Sequence, residues 1–273
     1  MSPPEGSPLG KPASYQDAYA PALLFPIARA PQREAIGISG ARVFSGVDLW
    51  TAYELSWLAP SGRPEIAIAR FRVPAESPSI VESKSVKLYL NSFSQTRFGG
   101  PEEVERALRD DLGRACGGPV AVELVRPAAF ARLAIESLAG ESIDALEVEV
   151  RDYSPRPEAL AAGGATVEET LVSHLFKSNC PVTGQPDWGS VQIRYRGPKI
   201  DRAGLLQYIV SFRQHTGFHE HCVERMFVEL RDRCRPERLT VYARFTRRGG
   251  VDINPFRSNW EQAPAPGGRI ARQ

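Results

Sequence analysis

Between two stretches rich in proline, glycine and serine, one succession of hydrophobic patterns occurs twice. In the first half, residues 47–58 and 65–73 read as two strands, 83–93 and 101–116 as two helices, and 120–125 and 146–150 as two further strands. Pro101 suits a first helical turn, and Glu102 and Glu103 complement a helix N-terminus. The second half repeats the order, with strands at 167–176 and 190–196. Asp201 then caps a helix that carries Leu205, Leu206, Ile209 and Val210 on one face. A last helix sets Val223, Met226, Phe227, Leu230 and Cys234 at helical spacing; Leu239, Val241, Ala243 and Phe245 alternate as a strand, and 251–254 adds a short one. Chance is the competing explanation, since many mixed chains show this order. Duplication is the reading adopted. The expected class is α+β, with antiparallel sheets and a helix pair on one face of each. The expected division is a flexible arm at 1–20, modules at 21–155 and 156–262, and a flexible tail at 263–273.

With 273 residues and 42% hydrophobic content, the chain can fill one large core or two smaller ones. A net charge of +2 provides no strong field toward nucleic acid or anionic lipid. No apolar run is long enough for a bilayer span, and the first residues lack the basic-then-apolar order of a secretion signal. A cytoplasmic protein is expected, with its four cysteines reduced and none in a Cys-x-x-Cys pair.

Chemistry is concentrated in Leu175-Phe-Lys-Ser-Asn-Cys180-Pro-Val-Thr-Gly-Gln-Pro-Asp187-Trp-Gly-Ser-Val191. Cys180 stands seven residues before Asp187, in a loop too rich in Pro and Gly for helix, and a half-buried strand follows. Most free cysteines are inert core residues. A cysteine on a loop beside a carboxyl is instead the outline of covalent catalysis, with thiolate as nucleophile and carboxyl as proton carrier. Phe218-His-Glu-His-Cys-Val-Glu-Arg225 opens the last helix and corresponds to Val81-Glu-Ser-Lys-Ser-Val-Lys-Leu-Tyr89 in the other repeat. Glu82 and Glu220 thus occupy matching places. Glutamate is common in a first helical turn, but two such carboxylates could also read the paired N–H edge of a guanine-like ring.

These segments together resemble the NADPH-dependent 7-cyano-7-deazaguanine reductases, the QueF family, in its long two-module form. The motifs that carry the resemblance are Glu82-Ser-Lys-Ser-Val-Lys-Leu-Tyr89, Lys177-Ser-Asn-Cys180, Gln185-Pro-Asp-Trp-Gly-Ser190 and Phe218-His-Glu220. The resemblance implies two tandem tunnelling-fold modules, a homodimer, and reduction of a nitrile on a 7-deazaguanine base to an amine by two NADPH, on the route to queuosine in transfer RNA. It implies that Cys180 forms a thioimide with the nitrile and that Asp187 shuttles the proton. Val81, Glu82, Ser83, Phe218, His219 and Glu220 are implied to bind the base, and Ser83, Lys84, Arg248 and Gly249 to bind NADPH. No Gly-x-Gly-x-x-Gly follows a strand, so a Rossmann site is not expected. The NADPH assignment requires positions 83–84 and 248–249 to meet, within one chain or between two.

Two other readings compete with this one. A zinc hydrolase of the GTP cyclohydrolase kind could draw ligands from Cys180, His219, His221 and Cys222, but His219 and His221 point to different faces of a helix, and Asp187 would have no task. No metal is expected. A nucleotide- or transfer-RNA-binding module could use the arginines between Arg231 and Arg248, but the near-neutral total favours a solvated face, and the free base is the expected substrate. Cys222 is expected to pack in the helix core, with a Cys180–Cys222 disulfide as the alternative.

Overall fold

The computed structural model describes residues 15–39, 43–265 and 267–273. In chain order its strands are β1 (Pro26–Ala28), β2 (Ser45–Leu58), β3 (Pro64–Pro74), β4 (Ser79–Val81), β5 (Ala121–Val125), β6 (Ile135–Glu136), β7 (Glu141–Ser142), β8 (Ala162–Ser173), β9 (Lys177–Asn179), β10 (Pro186–Ile200), β11 (Arg238–Phe245), β12 (Val251–Ser258) and β13 (Arg269–Ile270). The helices are α1 (Ala30–Glu34), α2 (Ser83–Asn91), α3 (Pro101–Cys116), α4 (Arg202–Ser211) and α5 (His219–Cys234).

Among the described residues, nine strands form one sheet in the order β5-β3-β2-β12-β11-β10-β8-β7, with β9 paired to the start of β10. The duplication is visible in this order. Third, second and first strands of the first half are followed by fourth, third, second and first strands of the second. The joint is the antiparallel pairing of β12 with β2, from Val251↔Ala52 to Ser258↔Ser45. Only the two-residue β7 runs parallel to its neighbour in this sheet.

Alternation along the strands divides the sheet into two faces. On one, Trp50, Ala52, Phe71 and Val73 meet Val86, Tyr89, Val104, Leu108 and Leu112 of α2 and α3. In the second half, Val191, Ile193, Tyr195, Val241 and Ala243 meet Leu205, Ile209, Val223, Phe227 and Leu230 of α4 and α5. Each large apolar side chain buried this way contributes roughly 1.5–3 kcal/mol. The helix ends follow local chemistry. α3 starts with Pro101 and stops at Gly117, whose φ of 72° lets Gly117 and Gly118 donate back to Arg114 and Gly113. α4 is capped by Asp201, whose carboxylate accepts from the N–H groups of Ala203 and Gly204.

Three expectations differ from the structure. Residues 146–150 form no strand, so the first half lacks its fourth. Val148 packs on the second core instead, and the Glu149 carbonyl accepts from the Gln207 side chain at 3.0 Å. The halves also do not part at 155. Ile143 belongs to the second core, whereas Val251 and Ile253 of β12 belong to the first. Residues 263–273, expected to be loose, lie across the helix-free face where described. Arg72, Arg70 and Arg244 donate to the carbonyls of Pro264, Gly267 and Gly268, and β13 pairs with β6. The expected arm at 1–20 falls largely outside the described residues, but its end is tied down. The Tyr19 ring packs on Phe93 and Phe98, and its hydroxyl donates to Asp111.

Where the halves meet, four buried charged groups and the half-buried Arg33 form one network. Glu224 of α5 accepts from Arg33 (2.7 and 2.9 Å) and Arg257 (2.8 and 3.0 Å), while Asp48 pairs with Arg29 (2.6 Å) and Arg257 (2.8 Å). Arg257 is wholly buried. Burial works against the Glu224 carboxylate, but Arg257 and Arg33 hold its pKa at about 2. The network fixes α5, and so the residues at its N-terminus, against the first half.

Candidate active site

The seven-residue spacing becomes a hairpin. β9 pairs with the start of β10 so that Asp187 faces Ser178, and Cys180 N–H donates to the Gln185 carbonyl at 2.9 Å to close the loop. Gly184, at φ 67°, makes the turn possible. Residues two apart on a strand share a face, so Cys180 and Asp187 come to the same side of the hairpin. Both are buried.

Burial opposes ionisation of Cys180. Hydrogen bonds from the Thr183 hydroxyl, from the N–H groups of Thr183 and Val182, and from the Arg248 guanidinium outweigh it, holding the thiol below its ordinary value. Burial likewise opposes the Asp187 carboxylate, but His219, Arg248 and Lys87 hold its carboxyl below the usual range. Asp187 Oδ1 lies 3.3 Å from Arg248 Nη1 and 3.6 Å from His219 Nε2; the second is an ion-pair distance rather than a hydrogen bond. The His219 ring is itself fixed edge-on against Phe245, with centroids 4.0 Å apart.

Arg248 comes from the turn between β11 and β12, closed by its N–H to the Val251 carbonyl (2.9 Å) and by Gly249 and Gly250 at φ 59° and 71°. A Cβ on Gly249 would stand 3.2 Å from Lys87 Cδ. Lys87 of α2 and the 248–249 turn therefore meet within a single chain. Ser83 and Lys84 lie one turn before Lys87 on α2. A cleft of ≈ 570 Å³, counting its open mouth, is lined by Tyr15, Glu54, Lys87, Asn91, Gly249 and Gly250.

Glu82 and Glu220 differ in setting. Glu82 caps α2, its two oxygens accepting from Lys84 N–H (2.6 Å) and Ser85 N–H (2.8 Å). It is fully buried, and burial pushes its carboxyl up against the pull of those donors. A carboxylate has about four lone-pair sites, and with the Ser83 hydroxyl donating at 3.5 Å one remains. Glu220, in the first turn of α5, is pushed up to about 7 by burial and by Asp48, with His219 and Arg29 opposing. It shares a narrow cavity between the halves with Val81, Val86, Trp50 and Phe71. Phe218 is the half-buried N-cap residue of α5. Cys222 is completely buried in the second core, and burial pushes its thiol up to about 12.

Two residues at the site carried no role in the sequence reading. Lys87 follows Lys84 by three positions and so shares its side of the helix, a signal available in the sequence. Thr183 had none, because its contact with the sulfur exists only once the hairpin turn has formed.

Comparison with known proteins gives concordant results. A family model described as the nitrile reductase, 7-cyano-7-deazaguanine-reductase N-terminal part, matches residues 15–124, and one described as a QueF-like protein matches 186–264. A protein of Burkholderia multivorans is 58% identical over 272 residues, covering 99% of each chain, and carries the name NADPH-dependent 7-cyano-7-deazaguanine reductase. A protein of Chromobacterium violaceum with the same name is 58% identical over 272 residues, covering 99% of this chain and 98% of its own.

Proposed function

Because this chain belongs to the family of NADPH-dependent 7-cyano-7-deazaguanine reductases, we propose that Cys180 and Asp187 carry the reduction of the nitrile of 7-cyano-7-deazaguanine to the 7-aminomethyl base. The supporting observation is a buried cysteine whose thiolate is favoured by four donors, beside an ionised carboxylate on the same hairpin face.

A nitrile is a poor hydride acceptor. Attack by the Cys180 thiolate on the nitrile carbon forms a C–S bond and leaves electron density on nitrogen. Asp187 takes the thiol proton and delivers it to that nitrogen, so the thioimide forms without an outside acid. Arg248 and His219 keep Asp187 ionised and ready to receive the proton. After the first reduction Cys180 leaves as thiolate, and an imine remains for the second. Glu220, with Glu82 and Val81 nearby in the first half, takes the N–H edge of the base, and Phe218 packs against its ring.

NADPH, when bound, supplies the two hydrides for this four-electron change. The residues present fit such a group. Lys87 and the left-handed Gly249 and Gly250 line one cleft, and Arg248 stands next to them in the same turn. Ser83, Lys84, Lys87, Arg248 and Gly249 would hold it, with a preference for its extra phosphate from the cations. The reaction belongs to queuosine biosynthesis. We place it in the cytoplasm and in a homodimer, an arrangement supported by the outer edge of β5, which is unpaired among the described residues.

The test is to mix the protein with 7-cyano-7-deazaguanine without NADPH and follow intact mass. A covalent adduct is expected in the parent, none in Cys180→Ala, and formation roughly 10²–10⁴-fold slower in Asp187→Asn. An adduct that persists in Cys180→Ala removes the proposal.

A further inference from the structure

The ladder between β11 and β12 stops at Tyr242↔Phe256. Three residues further along β11, Phe245 still faces β12 with its backbone N–H and C=O, yet β12 offers it no backbone partner. Buried backbone groups require one. Two side chains supply it. Asn254 Oδ1 accepts from Phe245 N–H at 3.1 Å, and Gln273 Nε2 donates to the Phe245 carbonyl at 3.0 Å. The same Gln273 Nε2 also donates to Asn254 Oδ1 at 2.8 Å, so the two side chains hold each other. Asn254 is fixed from behind by Nδ2 to Asp252 (2.6 Å), which in turn accepts from the Tyr53 hydroxyl (2.8 Å).

Gln273 is itself held firmly. It is 4% exposed, its Oε1 accepts from Ile270 N–H at 3.1 Å, and its backbone bonds to Ile270 and Arg269 at 3.0 and 2.6 Å. Residues 267–273 thus form a tight turn anchored on the helix-free face, with Gln273 as the side chain that reaches through to β11.

Phe245 is where three parts of the site converge. Its ring fixes the His219 ring at 4.0 Å. Its strand partner is Gly189, two residues after Asp187, where a side chain would strike Phe176 and Phe245 at 3.0 and 3.3 Å. Three residues beyond it stands Arg248, which meets Asp187 at 3.3 Å. With no ladder between β11 and β12 at this point, the side chains of Asn254 and Gln273 take its place in holding Phe245 on the side away from β10.

We propose that Gln273 is a positioning residue of the catalytic site, clamping Phe245 so that His219 and Arg248 stay against Asp187. This rests on the reading that Cys180 and Asp187 form the thioimide. Gln273 touches neither base nor cofactor; it acts through Phe245.

The experiment compares the parent with Gln273→Ala and Gln273→Glu in single-turnover adduct formation without NADPH, as a function of pH. The number of sites is counted by the final adduct mass fraction. Glutamate keeps the acceptor for Ile270 N–H but has no donor for Phe245 or Asn254, so it isolates the clamp and serves if the alanine variant folds poorly. Expected is a two- to tenfold slower rate per competent site at neutral pH, the effect of losing one ordinary hydrogen bond, with the pH–rate curve displaced to higher pH as Arg248 and His219 loosen. Per-site rates and pH curves identical to the parent's, with only thermal stability lowered, would make Gln273 a structural residue and overturn the inference. Absence of adduct in the parent would instead overturn the underlying reading, so the two failures are distinct.

Discussion

Replacing Thr183 by valine tests how the protein makes a nucleophile of Cys180. The substitution keeps the shape and the backbone N–H groups of the turn and deletes the hydroxyl, which donates to the sulfur and also accepts from Gln185 N–H at 3.3 Å. Thr183 is exposed, so the fold loses little. A hydrogen bond to a charged group is worth ~1.5–3 kcal/mol, and the lower figure suits an exposed donor. At 1.36 kcal/mol per decade, the thiolate population at acid and neutral pH falls about tenfold. The remaining thiolate is more basic and a better nucleophile, by roughly threefold for a Brønsted slope of ~0.4–0.5. The net expectation is adduct formation about threefold slower below the titration of the thiol. Above it, where both proteins are fully thiolate and the nitrile nitrogen takes its proton from water through Asp187, the variant should be about threefold faster than the parent. The sign follows from the direction of the shift: the donors lower the thiol pKa, so their benefit exists at low pH and reverses once ionisation is complete. Quenched-flow mixing with the nitrile base, read by intact mass from pH 6 to 10, gives the two curves. If they run parallel, with the variant slower by one factor throughout, Thr183 positions the loop and does not stabilise the thiolate; if they coincide, the hydroxyl has no part.

Burial pushes Glu220 to about 7, and the base edge needs its ionised form. In a Cys180→Ala background, affinity for the base measured by calorimetry should therefore fall about tenfold per pH unit below that value, and Glu220→Gln should bind weakly with no such slope. Glu224→Gln should cost about 3–5 kcal/mol in urea unfolding, because it leaves the buried Arg257 and Arg29 to share the single carboxylate of Asp48 and takes the ion pair from Arg33. Since the Glu224 carboxyl is lowered to about 2, its contribution is complete above the ordinary carboxylate range and is lost as pH falls toward 2; an acid unfolding curve as steep in the variant as in the parent would contradict this. Gly249→Ala, at a φ of 59° and against Lys87, should raise the KM for NADPH more than it slows adduct formation, and equal effects on the two would separate this turn from the cofactor.

Where local chemistry decides, the sequence was a good guide. Pro101 and Gly117 bracket α3, Asp201 caps α4, and the alternation of Val191, Ile193 and Tyr195 marks the core face of β10. Cys180, Asp187, His219 and Arg248 were all named from motifs, and the fold brings them together. What escaped depends on distant neighbours. The alternation at 146–150 is real, but a strand needs a partner, and that segment lies against the other core. The Pro- and Gly-rich stretch at 263–273 has the composition of a linker, yet its carbonyls are taken by Arg70, Arg72 and Arg244, all remote in sequence. Arg248 was expected at the cofactor phosphate. Its guanidinium also lies against Asp187 and Cys180, a further contact that spacing alone does not reveal.

The shared sheet has a consequence for how the chain is made. β2, synthesised early, finds its second neighbour only in β12: Ser45 bonds to Ser258 across 213 residues, and Tyr53 to Asp252 across 199. Through most of translation β2 therefore presents an unpaired edge with Trp50 and Ala52 awaiting Val251 and Ile253. Closing so long a loop is slow, and an open edge of this kind invites pairing with other nascent chains. Premature termination anywhere before β12 would yield not half an enzyme but a sticky fragment, so the gene's two repeats are bound to one another by folding as tightly as by chemistry.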